Sequence, residues 1–379
     1  MSKYRELSSS LARLDPRRIT AGRELRGLTK KTLADKIGKT PSAVTQFEAG
    51  RSGLDIETFA AVTIALGLPP SYFVARHNDI QVDFGTCHFR ANKSVPQGER
   101  RRAIQHATNV IQIFRSLEQR GVVFPAPQVP TYAWNCYSPS EIESLSQTIR
   151  RDWGMGNGPI LNMAALLETK GVFVVLLPEE SAKLHAFSFW AEDRPCVVVT
   201  ESVSASHMQF DHGHELLHLI LHMDEAAGDP DSERAANHFS GAFLAPLHAF
   251  RLECPRKWDH DAFLALKKRW HISMQAALYR ARQLQIVKES SFRWGMVDLS
   301  SRNERHDEPG EFEKPLPSLL SKALEIVQGE FFLDDLSEEI GLASHEVEHL
   351  LQSQHVPQNL IDYFKPSNPV FAEPQVHKK

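Results

Sequence analysis

Cysteine is scarce in this 379-residue chain. There are four, Cys87, Cys136, Cys196 and Cys254, with no Cys–x–x–Cys spacing. That pattern excludes a disulfide scaffold and suits free thiols in a reducing compartment. No apolar run approaches the length of a membrane span, and the first residues lack the pattern of a signal peptide. The expectation is a cytoplasmic protein with no membrane partner. Internal repeats and low-complexity tracts are missing too. The glycine-rich turn Trp153–Gly154–Met155–Gly156–Asn157–Gly158–Pro159 has no strand before it and no Gly–Lys–Ser/Thr after it. This excludes a phosphate-binding loop, and the turn reads as the lead into a helix over 160–169.

What the chain does have is unevenly placed charge. The formal net charge is -4. Residues 1–51 carry 12 lysines and arginines against 5 acidic residues, a net of +7, whereas residues 301–350 carry 4 against 13, a net of -9. The basic end suits a polyanion and the acidic end does not. A hydrophobic content of 42% permits real cores, and the length allows two or three domains.

Near the N-terminus, residues 11–27 read as a helix interrupted at Pro16. Two short helices follow, 30–37 and 41–48, with Thr29 as a cap and Gly38 as a stop. Leu33, Ala34, Ile37, Val44 and Phe47 face inward, and a further helix covers 56–67. Two short helices around a tight turn match a helix-turn-helix, whose second helix enters the major groove. Ser42, Ala43, Thr45 and Gln46 are small or polar there, and Gln46 suits an adenine edge. Lys30, Lys31, Lys39 and Arg51 suit phosphates. A plain helical bundle with a basic face is the alternative. The run from Leu33–Ala34 through Gly38, Ser42 and Val44–Thr45–Gln46–Phe47–Glu48–Ala49–Gly50 resembles the Cro/C1 repressor family, also called XRE. That resemblance implies recognition positions at Pro41, Ser42, Ala43, Thr45 and Gln46, and a homodimer on a double-stranded operator. Lys30 stands where the family usually has Gln.

The most informative stretch is His214–Glu215–Leu216–Leu217–His218. On a helix, two histidines four apart share a face and can reach one metal ion, with Glu215 beside them as a base for an activated water. Two ordinary helical histidines are the alternative. Strands are expected at 172–177, 186–190 and 196–200, before an active helix at 205–222. A metzincin pattern would need glycine and histidine where Leu221 and Asp224 stand, so Asp224 is set aside as third ligand. Glu233 is the better candidate, on the apolar side of a helix that carries Ala236, Phe239, Phe243 and Leu244. A first-turn charge stabilising that helix is the other reading of Glu233.

The stretch from Trp153–Gly154 to Pro246, with Ala186–Phe187–Ser188, His214–Glu215–Leu216–Leu217–His218 and Glu233–x–x–Ala236–Asn237–x–Phe239, resembles the ImmA/IrrE family of metallopeptidase-like domains. That resemblance implies a zinc ion held by His214, His218 and Glu233, with Glu215 catalytic. Two positions depart from the family: Leu217 stands where members usually carry Gly, and Gly213 where Ala is common. His207, His212, His222 and His238 lie nearby without a spacing argument.

Beyond 250, helices are expected at 259–270 and 274–284, a basic pair that also looks like a helix-turn-helix. A polar loop or hinge follows over 298–314, then helices at 317–328, 333–340 and 344–353, and a frayed tail from about 365. The expected organisation is a helix-turn-helix domain at 1–75, a connector with a long helix at 76–135 and a zincin-like domain at 136–250. A helical extension at 251–297 and a C-terminal helical region at 298–379 complete it. The fold class is multidomain α+β, with an all-α DNA-binding domain and a small sheet in the metal domain. The expected function is a DNA-binding transcriptional regulator, a repressor, controlled by a zinc-dependent endopeptidase domain that cleaves a protein or itself. The alternatives are a non-catalytic sensor of a ligand, small-molecule inducer or metal, and a stand-alone metalloprotease or an antitoxin or phage-type repressor.

Overall fold

The computed structural model describes residues 2–74, 88–91, 95–133, 137–178, 184–221, 229–305 and 307–365. The chain divides into two compact units. The first draws on Met1–Phe84, Ser94–Phe124 and Ser318–Lys379, the second on Gly85–Lys93 and Pro125–Pro317.

The first unit is helical. It begins with α1 (Ser2–Leu11) and α2 (Pro16–Leu25). The helix expected over 11–27 is confined to α2, because residues 12–15 are not helical, and α1 before them was not expected. The Asp15 side chain accepts from Arg17 N at 2.9 Å, and Pro16 opens a new helix where its missing N–H costs nothing. Next come α3 (Lys30–Ile37), α4 (Pro41–Glu48) and α5 (Ile56–Leu66). Thr29 caps α3 and Thr40 caps α4, and Gly38 ends α3 with φ 65, a left-handed value that favours glycine. Leu33, Ala34, Val44, Phe59, Val62 and Phe73 are buried together, with Phe59 edge-on to Phe73 at 5.6 Å. The long helix α6 (Gln97–Gln119) packs against α2. The C-terminal helices are α15 (Leu319–Ile326), α16 (Leu333–Ile340), α17 (Ser344–Ser353) and α18 (Gln358–Tyr363), and α6 also packs against the first two of them. The acidic end of the sequence finds its partners here. Glu339 pairs with Arg120 at 2.6 Å, and Glu346 pairs with Arg26. The last of these helices, α18, had no clear signal in the sequence. Residues 366–379, read as a frayed tail, lie outside the described residues.

The second unit holds a four-stranded sheet in the order β1-β3-β4-β2. Its strands are β1 (His88–Ala91), β2 (Phe173–Leu177), β3 (Leu184–Ala191) and β4 (Arg194–Thr200). Neighbouring strands run antiparallel except β2 and β4, which are parallel. β1, the edge strand, comes from the stretch read as a connector. β2 and β4 are buried along their whole length, as near-continuous apolar runs require. α7 (Pro139–Asp152) and α8 (Met163–Thr169) precede β2; α8 starts at 163 because the Asn162 side chain accepts from Ala165 N at 2.8 Å. After the sheet come α9 (Ala205–Leu221), α10 (Pro230–Leu244), α11 (Leu247–Glu253), α12 (His260–Trp270), α13 (Met274–Gln283) and α14 (Glu289–Ser301). α11 and α14 were not expected, and α14 takes the first residues of the supposed hinge. The glycine-rich turn at 154–158 is organised by the buried Arg150, whose guanidinium donates to the carbonyls of Gly156, Gly158 and Phe243 at 2.5–2.6 Å. Its backbone therefore faces a cation, not a phosphate.

Candidate metal centre and DNA-facing helices

α9 runs through the core of the second unit. Leu216, Leu217, Leu219, Ile220 and Leu221 are buried in its apolar cluster, which fixes the helix so that His214 and His218 share the remaining face. The rings of the two histidines are 4.9 Å apart, and their Nε2 atoms are 3.1 Å apart. α10 supplies the third group. Asp229 caps it by accepting from Ser232 N at 2.9 Å, and Pro230 sits at its start. Glu233 then falls in the first turn, with its carboxylate 3.4 Å from His214 Nε2 and 3.7 Å from His218 Nε2. Among the described residues, these three form the one cluster whose ligand atoms all lie within 4.8 Å of one another.

The chemistry of this donor set fits a zinc ion. His214 Nδ1 donates to Asn237 Oδ1 at 3.2 Å, which leaves Nε2 as a lone pair directed at the cluster. Two imidazole nitrogens and a carboxylate in mutual contact need a proton or a cation between them. Bonds of about 2.0–2.1 Å to a tetrahedral ion put ligand atoms roughly 3.3 Å apart, the range seen here. Two histidines and a glutamate also leave a fourth position open, as catalytic sites do. Glu215 is fully buried, and its Oε2 accepts from Ser188 Oγ on β3 at 2.7 Å. Asn237 had a readable signal, since it lies four residues after Glu233 on one helix face. Ser188 had none until the sheet placed it under α9.

The other histidines stand apart from the cluster. His212 is buried. Burial pushes its pKa down to about 4, and its Nδ1 donates to Met208 O at 2.7 Å. His238 bonds Glu143 on α7 at 3.0 Å, and Glu143 is shared with Arg280 of α13. His207 is exposed, and His222 lies outside the described residues. Leu217 is buried in the core, and the close crossing of α9 and α10 falls at Gly213 instead. A Cβ on Gly213 would lie 2.6 Å from Ser240 Oγ.

In the first unit, Lys31, Lys39, Ser42, Thr45, Gln46 and Arg51 are all exposed, and Ala43 is half-buried. α4 thus presents a small, polar outer face. Thr45 turns its hydroxyl back to Pro41 O at 3.0 Å. Lys30 is 3.4 Å from Glu48, whose carboxylate also accepts from Arg23 at 2.5 Å, so Lys30 is partly neutralised.

Comparison with known families gives two matches. Residues 19–73 match the model of a helix-turn-helix, and residues 167–282 match that of the IrrE N-terminal-like domain, a zinc metallopeptidase-like family. A search of curated proteins returns no match. The chain is therefore a fusion of an XRE-type helix-turn-helix, the module of a DNA-binding regulator, with an IrrE/ImmA-like, metallopeptidase-like domain.

Proposed function

We propose that this protein is a transcriptional regulator, a repressor, that binds a double-stranded operator as a homodimer and is controlled by zinc-dependent cleavage of a protein, either a partner or its own chain. The observation that carries this reading is the convergence of His214, His218 and Glu233 beside the buried carboxylate of Glu215. His214, His218 and Glu233 would hold the zinc, which supplies Lewis-acid polarisation and a lowered water pKa of about 7. Asn237 fixes the His214 tautomer, and Ser188 orients Glu215 through Oε2. Glu215 takes the proton of the attacking water and returns it to the leaving amine nitrogen. The apolar residues around α9 exclude bulk water from these transfers. Exposed Ser42, Thr45 and Gln46, with half-buried Ala43, meet base edges, while Lys30, Lys31, Lys39 and Arg51 meet phosphates. No helix among the described residues is long and apolar enough to cross a membrane.

Leu217, in place of the glycine usual in the family, favours a second reading in which the domain senses a ligand or metal without cutting. Glu215→Gln and His218→Ala separate the two. The first keeps the shape of the site and removes the base, so zinc content and operator binding persist while cleavage fragments and induction of a reporter gene disappear. The second loses the metal as well. Induction that survives Glu215→Gln, with no fragment on a gel, would leave the sensor as the function.

A further inference from the structure

Beside the metal centre lies a cavity of about 300 Å³ that the chemistry above leaves unused. One wall is formed by His207 and Phe210 of α9 and by Asn237 of α10. Phe210 is one turn before His214, and Asn237 is one turn after Glu233, so the cavity adjoins the helix turns that carry the cluster. The facing wall is α13, through Gln275, Tyr279 and Gln283. α12 and α13 look like a helix-turn-helix in sequence. The side chains that would read bases in such a pair line a pocket here.

The charges in that pocket nearly cancel. Glu308 and Glu311, from the loop after α14, both line it, and both pair with Lys267, which is fully buried. Glu308 also accepts from Met274 N at 2.7 Å and Gln275 N at 3.1 Å, at the start of α13. Glu311 accepts from Ser206 N at 3.1 Å and Ser206 Oγ at 3.0 Å, at the start of α9. One lysine and two helix N-termini of about +0.5 each balance the two carboxylates. Arg280, also in the wall, is balanced by Glu143. What remains is Arg305, an exposed side chain, with His207, also exposed, in the same lining. Neither side chain has a hydrogen-bond or ion-pair partner among the described residues, and the same holds for the amides of Gln275 and Gln283 and the hydroxyl of Tyr279. The rings of Phe210 and Tyr279 supply the apolar surface.

We propose that this cavity is a binding site for a small aromatic monocarboxylate, its ring against Phe210 and Tyr279 and its carboxylate on Arg305. The planar fork of the Arg305 guanidinium can take one carboxylate with two parallel hydrogen bonds, and the lining amides and hydroxyl can bond further polar groups on the ligand. The volume is at the small end for ligand sites and suits a single ring with a short acid side chain. This site is independent of peptide cleavage.

The test is titration calorimetry on the full chain with 4-hydroxyphenylacetate, its neutral amide and inorganic phosphate. The acid should bind saturably with one site per chain, and the amide about tenfold or more weaker. Arg305→Ala should weaken the acid by a similar factor, and Tyr279→Ala should also reduce it. Glu215→Gln should bind like the unaltered chain, so the result stands apart from the outcome of the cleavage test. Absence of saturable binding, equal affinity for acid and amide, an unaffected Arg305→Ala, or phosphate binding as tightly as the acid would each overturn the proposal. So would a raised KM for a cleaved protein in Tyr279→Ala without any binding of the acid, because the cavity would then belong to a peptide side chain.

Discussion

Gly213 sits where α9 and α10 cross, and its missing side chain sets how closely they pack. A Cβ there would meet Ser240 Oγ at 2.6 Å and Ser240 Cβ at 3.3 Å. Ser240 cannot swing away freely, because its hydroxyl donates to Phe210 O at 2.7 Å. Gly213→Ala should therefore destabilise the second unit by about 1–3 kcal/mol through overpacking, despite alanine's better helix propensity. It should also shift Glu233 and weaken zinc retention, and a second substitution, Ser240→Gly, should recover part of both. Thermal melts and metal analysis check this; a melting point raised by Gly213→Ala alone would contradict it. Glu143 makes a different argument at the same scale. Burial raises its pKa, but hydrogen bonds and charge from Arg280 and His238 outweigh burial and hold it at about 2, below the ordinary 4.5. A depressed carboxyl pKa stabilises the fold fully above the unfolded value, and the contribution is lost as pH falls through the folded one. Solvent screening of this partly exposed carboxylate keeps its contribution below the roughly 3 kcal/mol that the full shift would represent. In metal-free protein, the stability gap between the unaltered chain and Glu143→Gln should be constant above about pH 5 and close between pH 4.5 and 2. A gap that does not change with pH would show that Glu143 acts only through shape.

At the scale of elements, α3 and α4 give the sharpest expectation for DNA. Gln46→Ala should relax base preference at one position by about 1–3 kcal/mol. Lys31→Ala should reduce the salt dependence of operator binding by about one ion. Lys30→Ala should do less, because Glu48 already holds its ammonium at 3.4 Å. Mobility shifts at several salt concentrations test the ranking, which fails if Lys30→Ala has the larger slope change. These helices were legible in the sequence because short-range signals define them: Thr29 as a cap, Gly38 as a stop, and an apolar stripe at helical spacing. α9, β2, β3 and β4 were legible from their apolar runs, although β3 and β4 each start two residues earlier than expected. What could not be read depends on distant partners. α11 and α14 carry no capping side chain, so nothing local announced them. Ser188 reached Glu215 only through strand register, and Glu143 reached Arg280 across 137 residues of sequence. The cluster of His214, His218 and Glu233 was readable because two of its three members lie one helical turn apart.

On the scale of the whole molecule, the two ends of the chain meet in the first unit, and the charge asymmetry of the sequence acquires a structural role. α6 is buried around most of its circumference, through Ile104, Val110, Ile113, Phe114 and Leu117 among others. A helix with apolar side chains buried on so many sides needs cover from more than one partner. α2 covers part of it, while α15 and α16 cover another part, with Arg120 bonded to Glu339 at 2.6 Å and stacked over Phe331 at 4.5 Å. Removing residues 318–379 would strip that cover, and each large side chain newly exposed costs about 1.5–3 kcal/mol. Exposure of a few such residues equals a large share of an ordinary domain's stability. The core of α3, α4 and α5 is built from their own residues with Phe73, and the apolar cluster around the metal centre is drawn from residues 129–299. Neither depends on the deleted segment. The truncated chain should therefore lose amide protection along α6 in hydrogen exchange, while α3 to α5 and α9 to α10 keep theirs. Zinc content should not change. Protection of α6 that survives the deletion would mean that α2 alone holds it, and that the acidic C-terminal helices serve another purpose.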